Sequence, residues 1–168
     1  MRNQRHLIRA LLLAAAVVVL DQASKAVIVA EINTGDLVNV IGPLDFTHSH
    51  NDGVAFGLAG GGGIFVILLA AIALVALGAF IASAPESNLT WIAGGLILGG
   101  AAGNLIDRIR IGHVTDFILL PSWPAFNLAD CAITIGVILL AVSLIWGEKE
   151  SREKKPGGDA PEGEAGGP

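Results

Sequence analysis

Two aspartates, Asp116 and Asp130, are the residues best placed to do chemistry in this 168-residue chain. Both lie in the stretch GNLIDRIRIGHVTDFILLPSWPAFNLAD, from Gly103 to Asp130, which also holds Asn104, Asp107, Arg108, Arg110 and Asn127. The flanks are almost pure Ala, Gly, Ile, Leu and Val. Polar groups this dense between membrane-spanning segments are costly to keep, and a functional site is the default reading. Two carboxylates held close cannot both ionise cheaply, so they share a proton. The ionised partner can accept a proton from water and the protonated one can donate to a carbonyl oxygen. Together they supply the base and the acid for adding water to an amide. A plainer account is also open: Asp116 tethers a loop, and Asp130 caps a helix in whose first turn it stands.

The neighbouring polar residues fall at helical spacing. Asn127, Asp130 and Thr134 share a face, as do Asn104, Asp107 and Arg108. Asp21 and Lys25 form an i,i+4 pair in the favourable acid-first order. Cys131 adjoins Asp130 but is turned about 100° from it on a helix, which suits an inert buried thiol better than a nucleophile. His48, His50 and His113 with Asp52 make a weak metal set, because no His–His spacing lies on an expected helix face. No metal or cofactor is expected.

The elements that must hold these residues are apolar. The chain is 53% hydrophobic and 15% charged, against about 25% charged in a soluble domain. Its net charge of −5 does not describe a uniform acidic surface, since much of the acid sits in the last twenty residues. A single cysteine excludes an intramolecular disulfide framework and a multi-cysteine metal site. Nucleic acid is excluded for want of a basic patch with interleaved aromatics. About twenty residues cross the hydrocarbon as helix, and four spans are expected, at about 10–30, 64–82, 89–108 and 128–146. A cleaved signal peptide at the N-terminus is the lesser reading, because the apolar character continues past the polar insertion at Asp21 to Lys25. Gly95, Gly99 and Gly103 recur every four residues and offer a face where helix backbones approach closely.

The connection at about 31–63 mixes β-branched residues with Gly, Pro and Asn, which favours strands and turns. It is expected as a small platform and ends in the glycine run Gly60–Gly63. The segment at about 109–127, with Trp123 and two prolines, is a candidate lid. The peptidase-like unit would then be residues 1–147, and 148–168 a charged, Gly/Pro-rich disordered tail. The fold class expected is an all-α membrane protein of four transmembrane helices, with the platform between helices one and two.

Seven of the ten Lys and Arg residues lie in the two terminal segments. With four spans the termini share a side, and the basic bias places both in the cytoplasm. Asp21, Lys25, Asn51, Asn104, Asp107, Arg108, Asn127 and Asp130 then converge on the outer layer. Transport sites usually sit near the midplane between internal repeats, so this layer argues against a transporter. A non-catalytic binding or assembly factor is the other rival, and the presence of both aspartates counts against it.

At this point the residues resemble a family, lipoprotein signal peptidase (signal peptidase II), a bacterial membrane aspartic protease. The likeness is carried by DQASK at Asp21–Lys25, HNDGVAFGL at His50–Leu58, GGAAGNLIDRIRIGHVTDFI at Gly99–Ile118 and FNLADCAITIG at Phe126–Gly136. It implies that Asp116 and Asp130 are the catalytic pair. It further implies that Asn51, Gly53, Asn104, Arg108 and Asn127 meet the substrate, with Arg108 gripping carbonyl groups near the scissile bond. Asp107 would orient Arg108, while Asp21 and Lys25 would be structural. The implied substrate is a prolipoprotein carrying diacylglycerol on a cysteine, cut just before that cysteine by a monomer in the bacterial cytoplasmic membrane, with membrane lipid as its other partner. Asp52 occupies a position that the pattern leaves variable.

Overall fold

Long runs of Ala, Leu, Ile and Val, uninterrupted by proline, form the helices of this chain. The computed structural model describes residues 2–53 and 88–153, together with eight helical residues between 67 and 79. Helix α1 spans Arg2–Glu31, α2 Asn88–Ile111 and α3 Leu128–Glu153. Each contains a stretch long and apolar enough to cross a membrane: Gln4–Glu31, Leu89–Ile111 and Leu128–Ile145.

Three of the four expected helices are described along their length, and the eight described residues between 67 and 79 are helical. The second expected span, 64–82, lies largely outside the described residues, as do the Gly60–Gly63 run and residues 154–168 of the expected tail. The helices are also longer than expected. The first begins at Arg2 rather than near residue 10, and the last continues to Glu153, past the expected end of its span. Lys, Arg, Glu and Gln have good intrinsic helix propensity, so a span need not unwind when it leaves the hydrocarbon.

The burial pattern is inverted relative to a soluble bundle. Leu11, Leu12, Val19, Leu20 and Val27 of α1 and Ile135, Val137, Ile138 and Ile145 of α3 are exposed, while Asp21, Lys25, Asn104 and Asn127 are buried. Such a surface suits lipid, and the polar interior suits groups that lipid would not tolerate.

Helix α2 lies between α1 and α3, and missing side chains let it do so. A Cβ added at Gly95 would stand 2.8 Å from the Ala10 carbonyl oxygen, and one at Gly99 would stand 2.7 Å from the Val17 Cβ. At Gly103 it would stand 2.6 Å from Asp21 Oδ2. The expected glycine face is thus the α1–α2 contact. The α2–α3 contact uses Gly136, where a Cβ would meet Ile97 Cγ1 at 2.6 Å and the Ala93 carbonyl oxygen at 2.9 Å.

A three-stranded antiparallel sheet covers one end of the helices. Strands β1 (Leu37–Ile41), β2 (Leu44–Asn51) and β3 (Val114–Leu119) run in the order β1–β2–β3. The first two strands come from the expected platform. The third comes from the segment expected as a lid, a correction to a platform drawn from one connection alone. Val-Thr-Asp-Phe-Ile-Leu is rich in β-formers, and its Val114, Thr115, Asp116 and Phe117 are buried. Only residues 120–125 of that segment remain as a loop before Phe126 returns to bridge Ile118.

The turn into β3 has a clear cause. Gly112 adopts φ +84°, and its N–H donates to the Arg108 carbonyl at 3.2 Å. This is the left-handed stop that ends a helix and satisfies one of its last carbonyls. Phe46 and Phe117 meet edge to face at 6.0 Å, and with Ile28, Ile32, Ile118 and Leu128 they seat the sheet on the ends of α1 and α3.

Candidate active site

Asp116 reaches the site from the middle of β3, opposite Ser49 of β2. Asp130 reaches it from the first turn of α3. Asn127 joins the two. Its side-chain amide donates to Asp116 Oδ1 at 2.6 Å, and its backbone N–H donates to Asp130 Oδ2 at 3.1 Å. In return the Asp130 N–H donates to Asn127 Oδ1 at 3.0 Å. This reciprocal pair is a capping box on α3. The plainer reading of Asp130 as a helix-start residue is therefore correct, and the cap also fixes the direction of its carboxylate.

Two more amides complete the cradle. Asn51 Nδ2 donates to Asp116 Oδ2 at 2.9 Å, while Asn51 Oδ1 receives the Gly53 N–H at 3.0 Å. Gly53 has φ +71°, which allows that tight return. Asn104 Nδ2 donates to Asp130 Oδ1 at 2.8 Å, and Asn104 Oδ1 accepts from Asn127 Nδ2 and from Lys25 Nζ, both at 3.1 Å. Burial is the leading influence on Asp116 and pushes its carboxyl above the usual range. The donors from Asn51 and Asn127 oppose that rise, and Asp130 adds to it.

Behind the cradle lies a buried ion cluster. Lys25 Nζ stands 2.8 Å from both Asp21 Oδ2 and Asp107 Oδ2. Asp21 Oδ1 also accepts the Ala129 N–H at 3.0 Å, bracing the start of α3 from α1. Gln22 Nε2 donates to Asp107 Oδ1 at 2.8 Å, and the Thr115 N–H reaches Asp107 Oδ2 at 3.3 Å. This tie holds β3 at the residue before Asp116.

The profile of the family described as signal peptidase (SPase) II matches residues 13–146. The chain belongs to the signal peptidase II family. Among its relatives is the lipoprotein signal peptidase of Moorella thermoacetica, 44% identical over 137 residues, a match covering 80% of this chain and 91% of that one. The lipoprotein signal peptidase of Staphylococcus aureus (strain JH9) is 37% identical over 151 residues, covering 86% and 93%. A bacterial membrane enzyme solved by the in meso method at 1.9 Å resolution aligns with a TM-score of 0.76 at 37% identity, covering 80% of this chain and 91% of that one.

Of the residues singled out by resemblance to signal peptidase II, Asp116, Asp130, Asn51, Asn104 and Asn127 meet in one network, and Gly53 turns the chain beside it. Asp21, Lys25 and Asp107 form the support. Arg108 is half-buried, and its Nη1 reaches the Asn104 carbonyl of its own helix at 3.3 Å. The expectation that Asp107 orients Arg108 is corrected: adjacent residues diverge by about 100° on a helix, and the bonds of Asp107 go to Lys25, Gln22 and Thr115. Sequence reasoning missed Gln22. It stands inside the DQASK block, and Asp107 sits in the family block of the facing helix.

Proposed function

We propose that this chain is a membrane-embedded aspartic endopeptidase. It removes the signal peptide from diacylglyceryl-modified prolipoproteins, cutting before the lipidated cysteine. The observation that carries this reading is Asn127, which binds Asp116 with its side chain and Asp130 with its backbone. An asparagine so shared holds two carboxylates to one small volume, as a dyad requires.

Burial favours the neutral form of Asp116, so Asp116 is assigned the shared proton and Asp130 the role of base. Asp130 takes a proton from water as the water oxygen attacks the scissile carbonyl carbon. Asp116 gives its proton to the carbonyl oxygen. Collapse of the tetrahedral intermediate breaks the C–N bond: one of its hydroxyls returns a proton to Asp116, and the proton held by Asp130 passes to the departing cysteine nitrogen. Asn51, Gly53, Asn104 and Arg108 line the substrate's approach. The enzyme works as a monomer, with both termini cytoplasmic and the dyad at the outer face. There the lipid can stay in the bilayer while the scissile bond meets water. Residues 120–125 close over the bound peptide.

The test is a gel-shift cleavage assay on a diacylglyceryl-modified prolipoprotein, with purified wild type, Asp116→Asn and Asp130→Asn. Each substitution is expected to lower the rate by about 10²–10⁴-fold while leaving the fold intact by circular dichroism. Cleavage that survives either substitution removes the dyad. No cleavage by folded wild type favours a binding factor.

A further inference from the structure

The proposed reaction leaves three imidazoles on the sheet unused. His48 and His50 stand two residues apart on β2, and in a strand that spacing puts both side chains on one face. Their Nε2 atoms are 3.3 Å apart, with rings at 70°. His48 is buried, and its Nδ1 lies 3.0 Å from the Ile32 carbonyl oxygen. A carbonyl only accepts, so Nδ1 carries the hydrogen and the lone pair of His48 lies on Nε2, directed at His50. His50 is exposed, and His113 stacks on it with ring centroids 3.9 Å apart.

This arrangement has the features of a metal chelate. A ring N–H held by a backbone carbonyl is the usual support of a metal-binding histidine. Two nitrogens on one tetrahedral ion, each at about 2.0–2.1 Å, stand about 3.3–3.4 Å apart. One ligand is rigid and pre-aimed, and the other opens to solvent and offers a way in. Among the described residues no three of His, Cys, Asp and Glu are grouped to hold a metal, so the chelate has two protein ligands and water fills the rest.

From this geometry we infer that His48 and His50 bind one zinc-class divalent ion on one face of the sheet. Without the ion, His50 Nε2–H donates to His48 Nε2. On binding, that hydrogen moves through solvent to His50 Nδ1, and both Nε2 lone pairs go to the ion with no net proton change. Its place follows from the register: His50 pairs with Thr115 while Ser49 pairs with Asp116, so the ion lies on the face of the sheet away from Asn51 and Asp116.

The experiment uses the full chain, freed of any affinity tag, in detergent micelles, titrated with zinc chloride by calorimetry. One ion per chain is expected. His50→Gln, at an exposed position, should weaken binding at least about tenfold, while His6→Gln should not. Copper(II) bound to wild type should show two nitrogen couplings by electron paramagnetic resonance, and one in His50→Gln. Wild type binding zinc no more tightly than His50→Gln overturns the inference. So does binding that falls with His113→Gln and not with His50→Gln.

Discussion

Asn127 begins helix α3, bridges the two aspartates and receives support from Asn104. Asp116 is the residue on which stability and the proposed chemistry pull apart. Its folded carboxyl is raised, chiefly by burial. The sign follows from linkage: a raised carboxyl contributes its full stability below the unfolded value of about 3.9 and loses it as pH rises through the folded value. At pH 7 the wild type therefore carries a penalty that Asp116→Asn removes. The variant should melt higher at pH 7, by about 2–4 °C for each kcal/mol relieved, and the gap should close towards pH 4. A gap unchanged between those pH values in thermal melts would refute the argument.

At the scale of elements, contacts without side chains set helix positions, and charges lock them. At Gly99 a Cβ would meet both Val17 and the Ala14 carbonyl oxygen, at 2.7 and 2.8 Å. Gly99→Leu should push α1 from α2, costing about 1–3 kcal/mol or more, and should lower activity through misplaced Asn104; thermal melts and the cleavage assay read both. Lys25 ties α1 to α2 through Asp107 and Asn104. Lys25→Met strands two buried carboxylates and should cost about 3–5 kcal/mol. Asp107→Asn added to Lys25→Met should recover part of that loss; a double variant no more stable than the single one would place the role of Lys25 elsewhere.

The whole molecule presents apolar side chains outward from its three described helices and gathers its buried charges at one end of them. The basic residues of the two terminal segments make a cytoplasmic location for both termini the expectation, with the dyad on the opposite side. A phosphatase reporter, active only outside the cytoplasm, should be silent when fused after Pro168. A bright C-terminal fusion would reverse the topology and with it the proposed access of lipoprotein to the site.

How much of this could be read from the chain differs from residue to residue. The apolar helices at α1, α2 and α3 were legible because lipid demands long unbroken runs, and the Gly95–Gly99–Gly103 contact because a period of four admits one face. Asp21, Lys25 and Asp107 were legible as an interior layer, since no charge is cheap anywhere else in hydrocarbon. Three things depended on tertiary structure. Residues 114–119 joined the platform because β2 offered an edge 63 residues earlier, as the pairing of Asn51 with Val114 records, and a local pattern cannot state its partner. Asp107 bonded across to α1 rather than to Arg108 because helix geometry points neighbours apart. His48 and His50 share a face because their segment is a strand, as its composition suggested, but the stacking of His113 on His50 from 63 residues away needed the folded sheet. Composition and periodicity determined the medium, the spans and the depth of the polar layer, whereas the contacts that hold Asp116 near Asp130 were decided by the packing of β3 and α3 around Asn127.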